Sequence, residues 1–281
     1  MPALLWTLLQ FLALTGLIIV VARFLLYQPA KGIAHRLHLG NRAAGQLLGY
    51  LTSVPELVTT IAVAAAGFMS AVAFNILSSN IINVLLAMGA ATAYRGIRDL
   101  GSPRLRREHV LIGISIVVPI VLLLTGQVES VWVIPVFIVG YVAYLVVLRR
   151  MSNDSPGPVE YEEFSRVEVG RGLSKRTYLA LNGAIIALAL VGLYFLGDAL
   201  GGTVHELGTT FGVPQIVIGL IMGVVTSLPE LTTFVSSYHA HRGRALHRAT
   251  EEVTHNVLAS NASNLLIVQT VGLAVFLLVA G

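Results

Sequence analysis

Two stretches of this chain place a proline and a carboxylate inside apolar sequence: Leu51-Thr52-Ser53-Val54-Pro55-Glu56-Leu57 and Val225-Thr226-Ser227-Leu228-Pro229-Glu230-Leu231. Proline has no N–H to give to the carbonyl four residues earlier. The backbone oxygens of Leu51 and Val225, with those of the neighbouring threonines, are thereby released for another partner. A glutamate withdrawn from water is destabilising unless something neutralises it. Carrying that cost twice, in the same local sequence, points to a site.

Each turn is followed by a second motif, Asn-x-x-x-Ser-Asn-x-x-Asn, spanning Asn75 to Asn83 and Asn256 to Asn264. Thr52, Ser53, Ser79 and Asn83, with their counterparts Thr226, Ser227, Ser260 and Asn264, surround the two glutamates with hydroxyl and amide oxygens. Carboxylate, carbonyl, amide and hydroxyl oxygens without sulfur suit hard cations such as Ca²⁺ or Na⁺. Glu56 and Glu230 together balance one divalent charge. The competing reading is a protonated carboxyl hydrogen-bonded in a polar seam between helices. Small polar residues also pack helices in membranes, and that role stays open for Asn75, Asn80, Asn256 and Asn261. Gly49, Gly67, Gly219 and Gly223 read as points of close helix approach.

The surrounding sequence is that of a polytopic membrane protein. Apolar residues make up 56% of the chain and charged residues 11%, and mean hydropathy is +0.81, well outside soluble composition. Apolar runs of roughly 20 residues predict about eight spanning helices, near residues 3–27, 42–66, 69–93, 109–126, 129–148, 177–200, 212–237 and 252–279. All 18 lysines and arginines fall at or beyond the ends of the first, third, fifth and seventh runs, in alternate connections. Those loops are therefore expected in the cytoplasm, with both termini outside and the chain in the plasma membrane. The net charge of +4 then reflects topology, and no nucleic-acid role is needed. No basic residue precedes the first run, so the first helix is expected to be retained rather than cleaved. With no cysteine, disulfides and thiolate metal sites are excluded.

The chain divides into a first half (residues 1–150, five spans), a polar linker (151–176) and a second half (177–281, about three spans). The linker carries an acidic cluster, Glu160, Glu162 and Glu163. By the loop charges, the Glu56 span runs outward and the Glu230 span runs inward, so the repeats are inverted. That arrangement places substrate sites at broken helices near the bilayer midplane in secondary transporters. His239, His241 and His247 read as solvated loop residues, and His255 as an interhelical hydrogen-bonding group. Glu251 and Glu252 read as solvated at the start of the eighth span, or else as a cytoplasmic vestibule that attracts cations.

Thr52-Ser53-Val54-Pro55-Glu56 with Ser79-Asn80-Ile81-Ile82-Asn83, and Thr226-Ser227-Leu228-Pro229-Glu230 with Ser260-Asn261-Ala262-Ser263-Asn264, resemble the two α-repeats of the sodium/calcium exchanger branch of the cation/calcium exchanger superfamily. The likeness is close over the second, third, seventh and eighth spans. It implies an all-α antiporter that moves Ca²⁺ against Na⁺ by alternating access, with no organic cofactor and no enzymatic activity. Glu56 and Glu230 would ligate Ca²⁺ with the carbonyls of Thr52 and Thr226. Ser53, Ser79, Asn83, Ser227, Ser260 and Asn264 would complete overlapping Na⁺ and Ca²⁺ sites, and the first and sixth helices would slide across this core. The proton-coupled branch typically has Gly-Asn-Ala-x-Glu at the turn, so the Pro-Glu form favours sodium.

Two departures accompany the resemblance. Some prokaryotic members have aspartate where this chain has Asn264, which leaves stoichiometry open. The family usually has ten spans, and the ninth and tenth are not evident, so one side of the second repeat is expected to be exposed and covered by a second copy or a small subunit. The alternatives are a proton-coupled cation exchanger and a non-transporting accessory subunit. A membrane enzyme is disfavoured because no His-Glu-x-x-His, Gly-x-Ser-x-Gly or phosphate-cradling motif occurs.

Overall fold

A computed structural model describes residues 2–37, 39, 41–152, 172–241 and 246–280. Helix is the only regular structure among them. Seven helices are long and apolar enough to cross a membrane: α1 (Ala3–Ala34), α2 (Gly45–Ala65), α3 (Met69–Ala93), α4 (Pro103–Leu124), α6 (Lys175–Thr209), α7 (Gln215–His239) and α8 (Leu246–Val279). A shorter apolar helix, α5 (Val133–Arg149), lies between α4 and α6. These correspond to the eight anticipated runs. The linker's acidic cluster, Glu160, Glu162 and Glu163, lies outside the described residues.

Two of these helices are broken where the prolines stand. In α2 the break separates Asn41–Thr52 from Val54–Ala65, and in α7 it separates Gln215–Thr226 from Leu228–Ala240. Ser53 (ψ −1°) and Ser227 (ψ −5°) sit at the joints in matching conformations. Pro55 and Pro229 fall in the first turn of each second half-helix, where a missing N–H disturbs nothing further.

The broken helices pack crosswise. The first half of α7 lies along α3, and the first half of α2 lies along α8. Glycine permits both approaches. A Cβ added at Gly49 would stand 2.5 Å from the Asn256 carbonyl oxygen, and one at Gly223 would stand 2.5 Å from that of Asn75. Gly219 makes the same kind of backbone approach to α3. Gly67 does not: it has φ +87° in the turn between α2 and α3, and nothing lies within 4 Å of its would-be Cβ.

Around this core, α1 and α6 pack on one another and on α2. At 32 and 35 residues they extend roughly 50 Å at 1.5 Å per residue, beyond a ~30 Å hydrocarbon layer, so they tilt or project. Their outer faces carry lipid-facing side chains such as Trp6, Phe24, Leu188 and Phe195. On the other side, α8 is buried almost continuously from Ala249 to Leu265 by α2, α3, α4 and α5. Within the second half, α7 also exposes apolar side chains, Ile216, Leu220, Val224 and Leu228.

One expectation is corrected at the end of α1. The apolar run places Arg23 and Lys31 at or beyond the end of a span closing near residue 27, but the helix continues to Ala34 and includes both. Lys31 is only 3% exposed, with the Glu252 carboxylate as an electrostatic neighbour. The basic ends of α1, the α3–α4 connection and the start of α8 thus gather at one end of the molecule, where Arg104 also lies 3.6 Å from Glu251.

Candidate cation site

The joints of α2 and α7 bring the second motifs of α3 and α8 beside the two glutamates. Glu56 stands in the first turn of its half-helix and Glu230 in the first turn of its own, where the helix dipole favours negative charge. Both are fully buried, and each is within electrostatic reach of the other.

The hydrogen bonds around them come in matching pairs. Ser79 donates to Glu56 Oε1 at 3.0 Å, and Ser260 donates to Glu230 Oε1 at 3.1 Å. Ser79 Oγ meets Ser227 Oγ at 2.9 Å, and Ser53 Oγ donates to Ser260 Oγ at 3.1 Å. Asn264 Nδ2 donates to Ser79 Oγ at 3.3 Å, and Asn83 Nδ2 donates to Ser260 Oγ at 3.1 Å. Thr226 neighbours Glu56 and Thr52 neighbours Glu230, each from the opposite half. All ten residues singled out in the sequence are buried in one cluster, and neither half builds its share alone.

The side-chain donors around the glutamates all have other acceptors within reach. The hydroxyls of Ser53 and Thr52 bond to the Gly49 carbonyl, that of Ser227 to Gly223 and that of Thr226 to Met222. Both amide hydrogens of Asn83 and of Asn264 are used. The surplus consists of acceptors: Glu56 Oε2, Glu230 Oε2, Asn83 Oδ1 and Asn264 Oδ1 are buried and accept no hydrogen bond. A buried acceptor without a donor is costly, and an anion would find nothing to complement it here. A hard cation would satisfy the surplus oxygens.

Asn80 and Asn261 have a role that sequence reasoning left open. Asn261 Nδ2 donates to the Asn80 carbonyl at 3.1 Å and Asn80 Nδ2 to the Asn261 carbonyl at 3.4 Å, a reciprocal clamp between α3 and α8. Their side-chain oxygens accept from Asn264 and Asn83, both at 3.1 Å. That arrangement turns the amide hydrogens of Asn83 and Asn264 away and leaves their Oδ1 atoms free. Asn75 and Asn256 bond to Thr60 and Thr233, both at 3.4 Å, beyond the glutamates. At Asn264 the helix widens into a π-helical turn through Val268, a feature frequent at functional positions.

The family described as sodium/calcium exchanger protein matches residues 6–149 and 181–280. The chain belongs to the sodium/calcium exchanger protein family. This exchanger-family chain is 26% identical over 249 residues to the "Putative antiporter CaxA" of Alkalimonas amylolytica, covering 86% of the chain and 73% of that relative. It is 33% identical over 97 residues to the sodium/calcium exchanger MaX1 of Methanosarcina acetivorans, covering 34% of the chain and 27% of that relative. No solved structure matches it significantly.

A second polar group flanks the start of α8 and corrects an expectation. Glu251 and Glu252, read as solvated, are buried at 5% and 1% exposure. Coverage by α2, α4 and α7 removes them from water. Glu251 pairs with Arg104, and Ser237 donates to Glu252 Oε1 at 2.7 Å. His255 makes its interhelical contact to Glu108 of α4 at 3.5 Å. His239 and His247 are exposed as anticipated, and His241 Nδ1 lies 2.9 Å from the Ser237 carbonyl oxygen.

Proposed function

We propose that this protein is a secondary antiporter exchanging Ca²⁺ for Na⁺ across the plasma membrane by alternating access. The observation that carries the reading is the buried surplus of oxygen acceptors around Glu56 and Glu230. In this reading Glu56, Glu230 and the carbonyls of Thr52 and Thr226 ligate Ca²⁺. Ser53, Ser79, Asn83, Ser227, Ser260 and Asn264 complete overlapping sites for Ca²⁺ and Na⁺. The chain's halves, 1–150 and 177–281, form inverted repeats joined by the 151–176 linker. Basic loops face the cytoplasm and both termini lie outside.

The test is uptake of labelled Ca²⁺ into proteoliposomes loaded with Na⁺, with and without an outward Na⁺ gradient. Gradient-driven uptake is expected from the wild type and none from the folded Glu56→Gln/Glu230→Gln variant. Normal transport by that variant would overturn the site. Uptake driven by a pH gradient without Na⁺ would replace sodium with protons as the coupling ion.

A further inference from the structure

The pairing between α7 and α8 continues beyond the glutamate. Glu230 meets Ser260 at 3.1 Å, Thr233 meets Asn256 at 3.4 Å, and Ser237 meets Glu252 at 2.7 Å. On α8 these are residues 260, 256 and 252, stepping one face by about 6 Å per rung toward the basic end of the molecule. All six side chains are buried, with exposures of 3% or less. Each rung also holds an oxygen that accepts no hydrogen bond: Glu230 Oε2, Asn256 Oδ1 and Glu252 Oε2.

The first half has no equivalent third rung. Glu56 meets Ser79 and Thr60 meets Asn75, but the positions matching Ser237 and Glu252 are Val63 and Ala71, both fully buried and apolar. Symmetry of the two repeats therefore does not account for Glu252. Helix packing does not require it either, since the other half packs the same place with a methyl group and a valine.

We infer that Glu252, with Asn256 and Ser237, forms a staging site for the transported cation on the basic-loop side of the membrane. A hard cation there would be held by one carboxylate, an amide oxygen and a hydroxyl, then passed one rung at a time to Glu230 and Ser260. Lys31 of α1 is an electrostatic neighbour of Glu252 and would offset its charge when no ion is bound. The other charges nearby are taken up on the α4 side, Arg104 with Glu251 and His255 with Glu108. Because Lys31 rides on α1, a cation that takes Glu252 from it loosens a polar tie between α1 and the core.

This inference rests on the exchange reading, and sided transport tests it. Full-length protein in inside-out and right-side-out membrane vesicles gives the half-saturating Ca²⁺ concentration at each face. Glu252→Gln should raise it about tenfold at the basic-loop face and change it less than about twofold at the other. Lys31→Met, which frees Glu252 for the ion, should lower it at the basic-loop face, and the double variant should behave like Glu252→Gln. A purely structural Glu252 would move both faces together, and equal shifts at both faces, or none, overturn the inference. Should wild-type vesicles move no Ca²⁺ under any gradient, the exchange reading fails by itself. Equilibrium Ca²⁺ binding to purified Glu56→Gln/Glu230→Gln protein then decides. A weak site abolished by adding Glu252→Gln upholds staging, and no binding overturns it.

Discussion

The crosswise packing makes a sharp demand on Gly49 and Gly223. A methyl group at either position would meet a backbone carbonyl oxygen at 2.5 Å, whereas ordinary contact begins at 3.4 Å. Neither carbonyl can swing aside without unwinding its helix, so the paired helices must separate by about 0.9 Å, the difference between those two distances. Gly49 lies one turn before Ser53, whose 3.1 Å bond to Ser260 would stretch past hydrogen-bonding range. Overpacking of this kind costs about 1–3 kcal/mol. At roughly 2–4 °C per kcal/mol for a chain of this size, Gly49→Ala and Gly223→Ala should lower the melting temperature by about 2–12 °C. They should also raise the Ca²⁺ concentration for half-maximal uptake, because the site oxygens come from both members of each pair. Gly89→Ala is the control: it sits exposed within α3 with nothing near its would-be Cβ, and alanine there should stabilise by about 0.5–1 kcal/mol. The assay is thermal unfolding of detergent-purified protein alongside proteoliposome uptake. Gly49→Ala and Gly223→Ala proteins that match the wild type in both would refute the close approach.

Asn261→Ala removes the acceptor that holds Asn83 Nδ2 and should raise half-saturating Ca²⁺ about tenfold, with Asn80→Ala acting alike through Asn264; unchanged uptake curves would remove the positioning role. The chain has no cysteine, and the Cβ of Ala62 and an added Cβ at Gly201 lie 3.6 Å apart, within the ~3.5–4.5 Å range of disulfides. Oxidising the Ala62→Cys/Gly201→Cys protein should stop Ca²⁺ uptake and reductant should restore it, whereas full transport by the cross-linked form would mean that α6 stays fixed against α2.

The helices and the ten clustered residues were legible because their signals are local. An apolar run reports a span, and Pro-Glu inside one reports a broken helix with a buried charge, whatever packs against it. The repeat then tied Ser79 and Asn83 to Ser260 and Asn264. Asn80 and Asn261 were not legible in the same way. Their role depends on each facing the other half's backbone, and a motif cannot say which of its asparagines turns inward. Glu251 and Glu252 failed for a related reason. Their sequence neighbours are polar, and only coverage by α2, α4 and α7 takes them out of water. The four-residue series Glu252, Asn256, Ser260 and Asn264 was present in the sequence as a signal of a continuous polar face. Gly67 shows the opposite case: glycine marks either a close approach or a positive φ, and composition alone does not separate them.

The wiring of the core bears on what can move. Separating α2 and α3 from α7 and α8 would open both glycine seams and break the Asn80–Asn261 clamp and the serine contacts that link each glutamate's partner to the other half. Opening the site along that plane would leave many buried polar groups unpaired at once, each costing about 1–3 kcal/mol. The long helices α1 and α6 stand differently. Thr7, Thr15, Thr203 and Thr209 bond to carbonyls of their own helices, and these two helices bury only 22% and 17% of their most apolar windows. Largely apolar surfaces can slide while lipid replaces one set of contacts with another, so little polar pairing is lost in the movement. Alternating access, as proposed, would then have α1 and α6 move across a fixed core, as the family resemblance implies. On the staging reading, the electrostatic proximity of Lys31 to Glu252 would let an arriving cation influence that movement.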